Sequence, residues 1–283
     1  MMIISRDWLV HITDRLRKEL LSQGYVHVDE TPMQVMKEPG KKNTSKSYFW
    51  AYASIKDSPR PVRMFVYEPG RSGDYPSAFL NEFKGTIITD AYNGYRKVRG
   101  VNRALCWAHA RRAYTDALPS GKGGESNTLL AKGIEYINKL FDTERELEEL
   151  SPSKRYIKRK ELIAPVLEEY WSWVGTNIGH TLPQSKIGKA LNYSYSNREG
   201  LSLFMEDGNI PISNNLAENS IRPVVVGRKN FLFCGSPGGA GATACIYSIV
   251  ETAKANGLDP HKYIEYLLKK MPEIGYDKCR GQV

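Results

Sequence analysis

The stretch that decides the fold is GYVHVDETPMQVM, residues 24–36. From Tyr25 to Asp29 it alternates as a strand does, with Val26 and Val28 toward one face and Tyr25, His27 and Asp29 toward the other. The strand carries an acid out of a core. A proline cannot donate to a ladder inside a sheet, so Pro32 predicts that pairing loosens just after Asp29 and leaves its carboxylate at a rim or bulge. A second strand is expected over residues 86–90, with Ile87 and Ile88 buried and Asp90 at its end, ahead of the turn-forming AYNGY. A third acid, Glu218, stands in SNNLAENSIRP (213–223), which reads as a helix start.

Outward from that stretch, residues 5–23 set Trp8, Ile12, Leu16 and Leu20 on one helical stripe that Gly24 ends. YFWAYASI (48–55) and VRMFVYEP (62–69) have strand composition, and three strands with short turns predict an antiparallel meander. GDYPSAFLNEF (73–83) reads as a crossover helix with Asp74 as its cap and Ala78, Phe79 and Phe83 as its buried stripe. A strand, helix, strand passage of this kind is a right-handed parallel crossover, which makes the sheet mixed. VNRALCWAHARRAY (101–114) reads as a strand running into a basic helix. From LPSGKGGESN (118–127) to about Ile210 the pattern is helical and poor in strands. NFLFC (230–234) then looks like a strand, followed by a Gly-rich turn and a helix from about Ala242 to Asn256.

Forty Lys and Arg against thirty-one Asp and Glu give a net charge of +9 and favour a polyanionic partner, while 41% hydrophobic residues are ordinary for a globular protein. No apolar run approaches the roughly 18 residues of a membrane span, and the charged start MMIISRDWLVHITDRL does not read as a signal peptide. The four cysteines, Cys106, Cys234, Cys245 and Cys279, lie far apart and are expected to be reduced thiols in the cytoplasm.

Two acids at strand ends and one on a helix form a workable metal-binding set. Three carboxylates within about 4 Å repel by several kcal/mol at an effective dielectric near 20, and a divalent cation compensates. Hard oxygen ligands suit Mg²⁺ or Mn²⁺, and paired ions stabilise both oxygens of an in-line phosphoryl displacement. Plainer readings stand beside this one. Asp29 and Asp90 could cap turns, Glu30 is a rival ligand, and Glu218 could close a capping box begun by Asn215. Arg222, one turn past Glu218, could pair with it or meet a phosphate.

DETP (29–32), TDAYNGY (89–95), CWAHARR (106–112), NNLAENSIRP (214–223), GRKNFLFCGS (227–236) and TAKANGLDP (252–260) together resemble, in order, the catalytic region of the IS66 family of bacterial insertion-sequence transposases. The resemblance implies a DDE transposase with an RNase H-like α/β core, a mixed sheet with flanking helices interrupted by an all-helical insertion. It implies Asp29, Asp90 and Glu218 as the triad that binds Mg²⁺ or Mn²⁺ for strand cleavage and transfer at element ends. On that basis residues 1–24 are an N-terminal helix, 25–115 and 212–270 the two parts of the core, 116–211 the insertion and 271–283 a tail. Expected partners are double-stranded DNA, further copies of the chain on DNA and accessory transposition proteins, at the bacterial nucleoid. Members of the family usually carry a longer N-terminal region than the one preceding Asp29, so the alternatives are a remnant that only binds DNA or an RNase H-like nuclease that never joins ends.

Cys106 and His109 form a C-x-x-H pair, half a zinc site by spacing. The resemblance suggests a supporting role near the active site for His109, against the plainer reading of a hydrogen-bonded histidine. The G-x-G-x-x-A at 239–244 lacks the acid that a dinucleotide fold needs and reads as a phosphate-accepting turn at most. Basic clusters at residues 96–112, 154–160 and 222–229 are either solvated faces or a DNA track, with Arg111, Arg112, Arg228 and Lys229 as its contacts. Trp171 and Trp173 read as core residues, with stacking on an unpaired base as the alternative.

Overall fold

The computed structural model describes residues 8–118 and 129–274. Helix α1 (Val10–Leu21) leads into β1 (Tyr25–Gln34), β2 (Lys46–Ser54), β3 (Arg63–Glu68), a short α2 (Asp74–Phe79), β4 (Thr86–Thr89), a 3-10 turn at Asn93–Lys97, β5 (Asn102–Leu105) and α3 (Trp107–Thr115). Past residue 128 come α4 (Leu129–Glu146), α5 (Pro152–Lys158), a π-helical turn at Arg159–Ile163, α6 (Ala164–Ile178), α7 (Lys186–Ser196), α8 (Arg198–Ser202) and a 3-10 turn at Leu203–Glu206. Then follow α9 (Asn215–Phe231), α10 (Pro237–Ala255) and α11 (Pro260–Ile274). No helix among the described residues is long and apolar enough to cross a membrane.

The strands form one mixed five-stranded sheet in the order β3-β2-β1-β4-β5. β1, β2 and β3 are the expected antiparallel meander. Parallel advance of β4 and β5 is visible in two bonds, Asn102 N–H to the Gly85 carbonyl (2.9 Å) and Cys106 N–H to the Thr89 carbonyl (3.0 Å). The chain divides into two compact units, Met1–Ile87 with Tyr92–Asn102 and Asn215–Val283, and Ile88–Ala91 with Arg103–Asn214.

In the first unit the meander buries both faces. Val26, Val28, Trp50, Tyr52 and Met64 pack with Leu20, Leu80, Phe83 and Tyr95 on one side. Met33, Phe49, Ala51 and Phe65 pack with Ile221 and Val224 of α9 and Ala240 and Ala244 of α10 on the other. β3 is an edge strand, and such an edge exposes unpaired backbone groups unless something covers it. Helix α10 covers it with hydroxyls in place of a strand. Ser248 Oγ accepts the Phe65 N–H (2.8 Å), and one turn on Thr252 Oγ1 accepts the Arg63 N–H (3.0 Å) and donates to the Arg63 carbonyl (2.9 Å).

The second unit is built on aromatic packing. Trp107, at the start of α3, meets Tyr170, Trp171 and Phe204 at 5.4, 5.8 and 6.4 Å between ring centroids, and its indole N–H donates to the Leu201 carbonyl (2.7 Å). Tyr170 donates to Ser194 Oγ (2.7 Å), joining α6 to α7. Arg159, in the π-helical turn, is 1% exposed and uses all five of its N–H donors. Two go to the Glu144 carboxylate (2.7 Å each), and the others to the carbonyls of Phe204 (2.5 Å), Asp207 (2.9 Å) and Ile210 (3.0 Å).

Several local expectations are corrected. β1 does not loosen after Asp29. Its register with β2 is regular from Val26 to Gln34, and Pro32 is tolerated because β4, only Thr86–Thr89, leaves the outer half of β1 with a partner on one side. NFLFC is not a strand: α9 continues through Phe231, and Cys234 alone makes a bridge, to Val35. The Gly-rich segment is not a turn either. Ser236 caps α10, its Oγ accepting the Gly239 N–H (3.1 Å), and Pro237 occupies the first turn, so the glycines from Gly238 on are helical. α2 is shorter than expected, and its Asp74 binds Ser72 and Lys97 rather than capping it. Its buried residue is Pro76, with Leu80 and Phe83 beyond, while Ala78 is exposed. In the 154–160 cluster Arg159 is a core residue, and Arg155 donates to the carbonyls of Glu148 (2.8 Å), Leu150 (3.0 Å) and Gly208 (2.9 Å). Residues 5–7 and 119–128, and the tail beyond 274, lie outside the described residues.

Candidate catalytic centre

In the first unit, strand alternation separates the two neighbouring acids of DETP. Asp29 sits opposite Ala51, on the face covered by α9 and α10, and Glu30 sits opposite Trp50 on the other face. Asp29 is half-buried, its Oδ1 accepting the Glu30 N–H (2.9 Å). Glu30 accepts from Arg71 Nε (2.5 Å) and from the Tyr95 hydroxyl, and Arg71 lies over the Tyr92 ring at 4.2 Å. The rival ligand is thus held in an ion pair on the far side of the sheet from Asp29.

Helix α9 packs on Asp29's face through Ile221 and Val224, which with the buried Ala217 make the i, i+4, i+7 stripe of an amphipathic helix. Glu218 follows the first buried residue of that stripe and is itself half-buried, one turn from the helix start. Arg222 and Lys229 are exposed on the helix. Arg228 turns inward instead, donating to the Pro32 carbonyl of β1, so this predicted DNA contact also ties α9 to the strand. Pro223, inside the helix, cannot donate to the Asn219 carbonyl, which loosens the turn after Glu218.

In the second unit Asp90 follows directly on β4 and is half-buried. Backbone bonds then pin three segments together. Cys106 N–H donates to the Thr89 carbonyl (3.0 Å), Trp107 N–H to the Ile212 carbonyl (3.1 Å), and Asn214 N–H to Cys106 Sγ (3.1 Å). Cys106 is fully buried, so its thiol serves as an acceptor inside the fold. His109 stands half-buried one turn along α3. Arg111 gives its Nε–H to Asn138 Oδ1 (2.7 Å) beside a cavity of about 470 Å³ between α3 and α4, whereas Arg112 is exposed.

Tyr193 of α7 is a neighbour that sequence reasoning missed. Burial pushes its phenol well up, and the nearby Cys106 and Asp90 push it further, against Arg103 and Arg112. Its hydroxyl is buried with no hydrogen-bond partner among the described residues. Nothing in the helical pattern around residue 193 marks it, because its neighbours come from β4, β5 and α3. Trp171 is buried against Trp107, and Trp173 packs on Tyr114, Tyr136 and Tyr170, so both serve the core.

The family model described as "Transposase IS66 family" matches residues 1–242, and one for the "IS66 C-terminal element" matches residues 248–276. The chain belongs to the IS66 family of transposases. Curated relatives include the uncharacterized proteins y4qI, y4jD and y4hP of Sinorhizobium fredii (strain NBRC 101917 / NGR234). They are 30%, 28% and 25% identical over 94%, 93% and 94% of this IS66 chain, and 52%, 53% and 51% of their own lengths. The chain therefore spans about half the length of the curated relatives it matches. No solved structure matches it.

Proposed function

We propose that this IS66 chain is the catalytic region of a DDE transposase, an RNase H-like core with residues 116–211 as its helical insertion. Asp29, Asp90 and Glu218 are its catalytic triad. The observation that supports the reading best is that Asp29 lies on the sheet face on which α9, the helix bearing Glu218, packs. Asp90 follows directly on β4, the neighbour of β1 in the sheet.

Three carboxylates offer only oxygen, the donor chemistry that suits a hard divalent cation. Mg²⁺ or Mn²⁺, when bound, would supply charge compensation at the attacked phosphodiester and make water or a 3′ hydroxyl a competent nucleophile. The chain's own residues hold the carboxylates in place and keep Glu30 out of the set. Arg112, Arg222 and Lys229 neutralise phosphates, with Arg111 and Arg228 anchoring the elements that carry them. Cys106 and His109 support the second acid from the start of α3. Assembly of copies on paired DNA ends and help from accessory proteins belong to the same reading.

Asp29→Asn, Asp90→Asn and Glu218→Gln are each expected to abolish Mg²⁺-dependent cleavage of element-end DNA with folding and DNA binding nearly intact. A variant with full activity removes its residue from the triad. A strand-transfer gel separates the rivals: cleavage without joined product means a nuclease, and binding without any metal-dependent product means a remnant.

A further inference from the structure

Phe231, Leu232 and Phe233 form a tip between α9 and α10 that stability does not explain. They are 38%, 63% and 45% exposed, three consecutive large apolar side chains in water. Leu232 has φ +62°, in the left-handed region that glycine or asparagine adopts at far lower cost than a branched side chain. Exposure and strain thus coincide on one residue, and the fold gains little from either. Such an outlier points toward function.

The tip is held rigidly. Leu232 N–H closes on the Arg228 carbonyl (2.9 Å), Phe233 N–H on the Phe231 carbonyl (2.7 Å), and Cys234 is bonded on both sides to β1 and its extension, through the Gln34 carbonyl (2.9 Å) and the Met36 N–H (2.8 Å). A stripe of α9 leads to it, with Arg222, Val226 and Lys229 exposed at i, i+4 and i+7. Between Glu218 and Glu251 the chain contains no acidic residue, while it carries Arg222, Arg228 and Lys229. That charge pattern complements a polyanion. Three side chains also offer much less than the roughly 800 Å² per partner of a stable protein interface.

We infer that the Phe231–Phe233 tip is a base-contacting element for distorted DNA, packing its apolar side chains against an unpaired or unstacked base while the α9 cations hold the adjoining phosphates. Apolar wedges enter opened base steps, and aromatic side chains stack on any exposed base irrespective of sequence. A fully paired duplex offers the tip no base face, so it discriminates by distortion. The inference rests on the DNA reading above and deepens it, placing base contact on α9 about 20 Å of helix beyond Glu218.

The test uses the whole chain and two labelled duplexes of equal length, one fully paired and one with a single unpaired 2-aminopurine, followed by anisotropy and by the base's own emission. The chain should bind the bulged duplex about tenfold more tightly, within what one stacked base contributes. Leu232→Gly and Phe233→Ala should each cut that preference below about twofold, leave paired-duplex affinity within about twofold, and abolish the emission change. Leu232→Gly should unfold no lower in temperature than the parent chain. The inference is overturned if both variants keep the preference, if Leu232→Gly lowers the melting temperature, or if it dissolves a DNA-free dimer. Paired DNA bound with no preference for the bulge overturns the tip alone; binding to neither duplex at low salt overturns the DNA reading as well.

Discussion

Removal of the Arg159 guanidinium probes the packing of the second unit. Arg159→Leu deletes five hydrogen bonds at a site 1% exposed, two to Glu144 and one each to the carbonyls of Phe204, Asp207 and Ile210. Breaking a buried ion pair by removing one partner costs about 3 to 5 kcal/mol, because the other charge stays desolvated. Three orphaned carbonyls add about 1 kcal/mol each, and the leucine side chain returns about 2 kcal/mol of apolar burial. The net loss is about 4 to 6 kcal/mol. Against the roughly 5 to 15 kcal/mol that stabilise a domain, this is a large share. With a urea slope of about 2 kcal/mol/M, the unfolding midpoint should fall by about 2 to 3 M, read by tryptophan emission, since Trp107, Trp171 and Trp173 all lie in this unit. Arg159→Leu combined with Glu144→Leu should lose less than the sum of the single changes, because no lone charge remains buried. A midpoint shift under about 0.5 M for Arg159→Leu, or strict additivity in the pair, would refute the argument.

Ser248→Ala and Thr252→Val should each cost about 1 to 3 kcal/mol by leaving an edge-strand amide without its acceptor, and should speed hydrogen exchange at Phe65 and Arg63 respectively; unchanged exchange would remove the edge-cover role. Burial raises the Glu68 carboxyl above its ordinary value, so folding takes up a proton there, and the penalty is absent at low pH and grows as pH climbs past the unfolded value of about 4.3. Glu68→Gln should therefore raise the melting temperature at pH 7 and leave it unchanged near pH 3.5, and equal shifts at both would contradict the sign. Glu30→Gln weakens the pair with the half-exposed Arg71 by roughly 1 kcal/mol or less, yet should keep metal-dependent cleavage within a few-fold. A loss as deep as that of Asp29→Asn would mean that the wrong neighbour has been assigned.

The strands were legible because alternation and β-branched content are local properties, and Val26, Val28, Ile87 and Ile88 carry them plainly. Pro32 misled because its effect depends on how far the neighbouring strand extends, and β4 stops at Thr89. NFLFC has strand composition but is helical to Phe231, and of its apolar residues Phe231, Leu232 and Phe233 are exposed while Cys234 is buried. At GSPGGAGATA the start signal was present in Ser236 and Pro237, and the glycines that suggested a turn belong to a helix lying close on β3. Arg159 looked like part of a solvated basic run; only the fold supplies Glu144 and the three carbonyls. Asp90 does stand just past the end of β4, but Asp29 lies in mid-strand rather than at a rim, and the separation of Glu30 from Asp29 followed from period-two alternation that could have been applied one residue further. Tyr193 could not have been found, since its neighbours are brought to it by tertiary structure.

The most direct test of a shared metal centre is to replace Mg²⁺ by Fe²⁺ and let ascorbate and peroxide generate radicals that cut the backbone close to the bound ion. The account predicts three clusters of cuts, near Asp29, Asp90 and Glu218, all suppressed by excess Mg²⁺ and all lost together in Asp90→Asn. Cuts confined to one of these segments, or persisting at two of them when the third acid is removed, would contradict it.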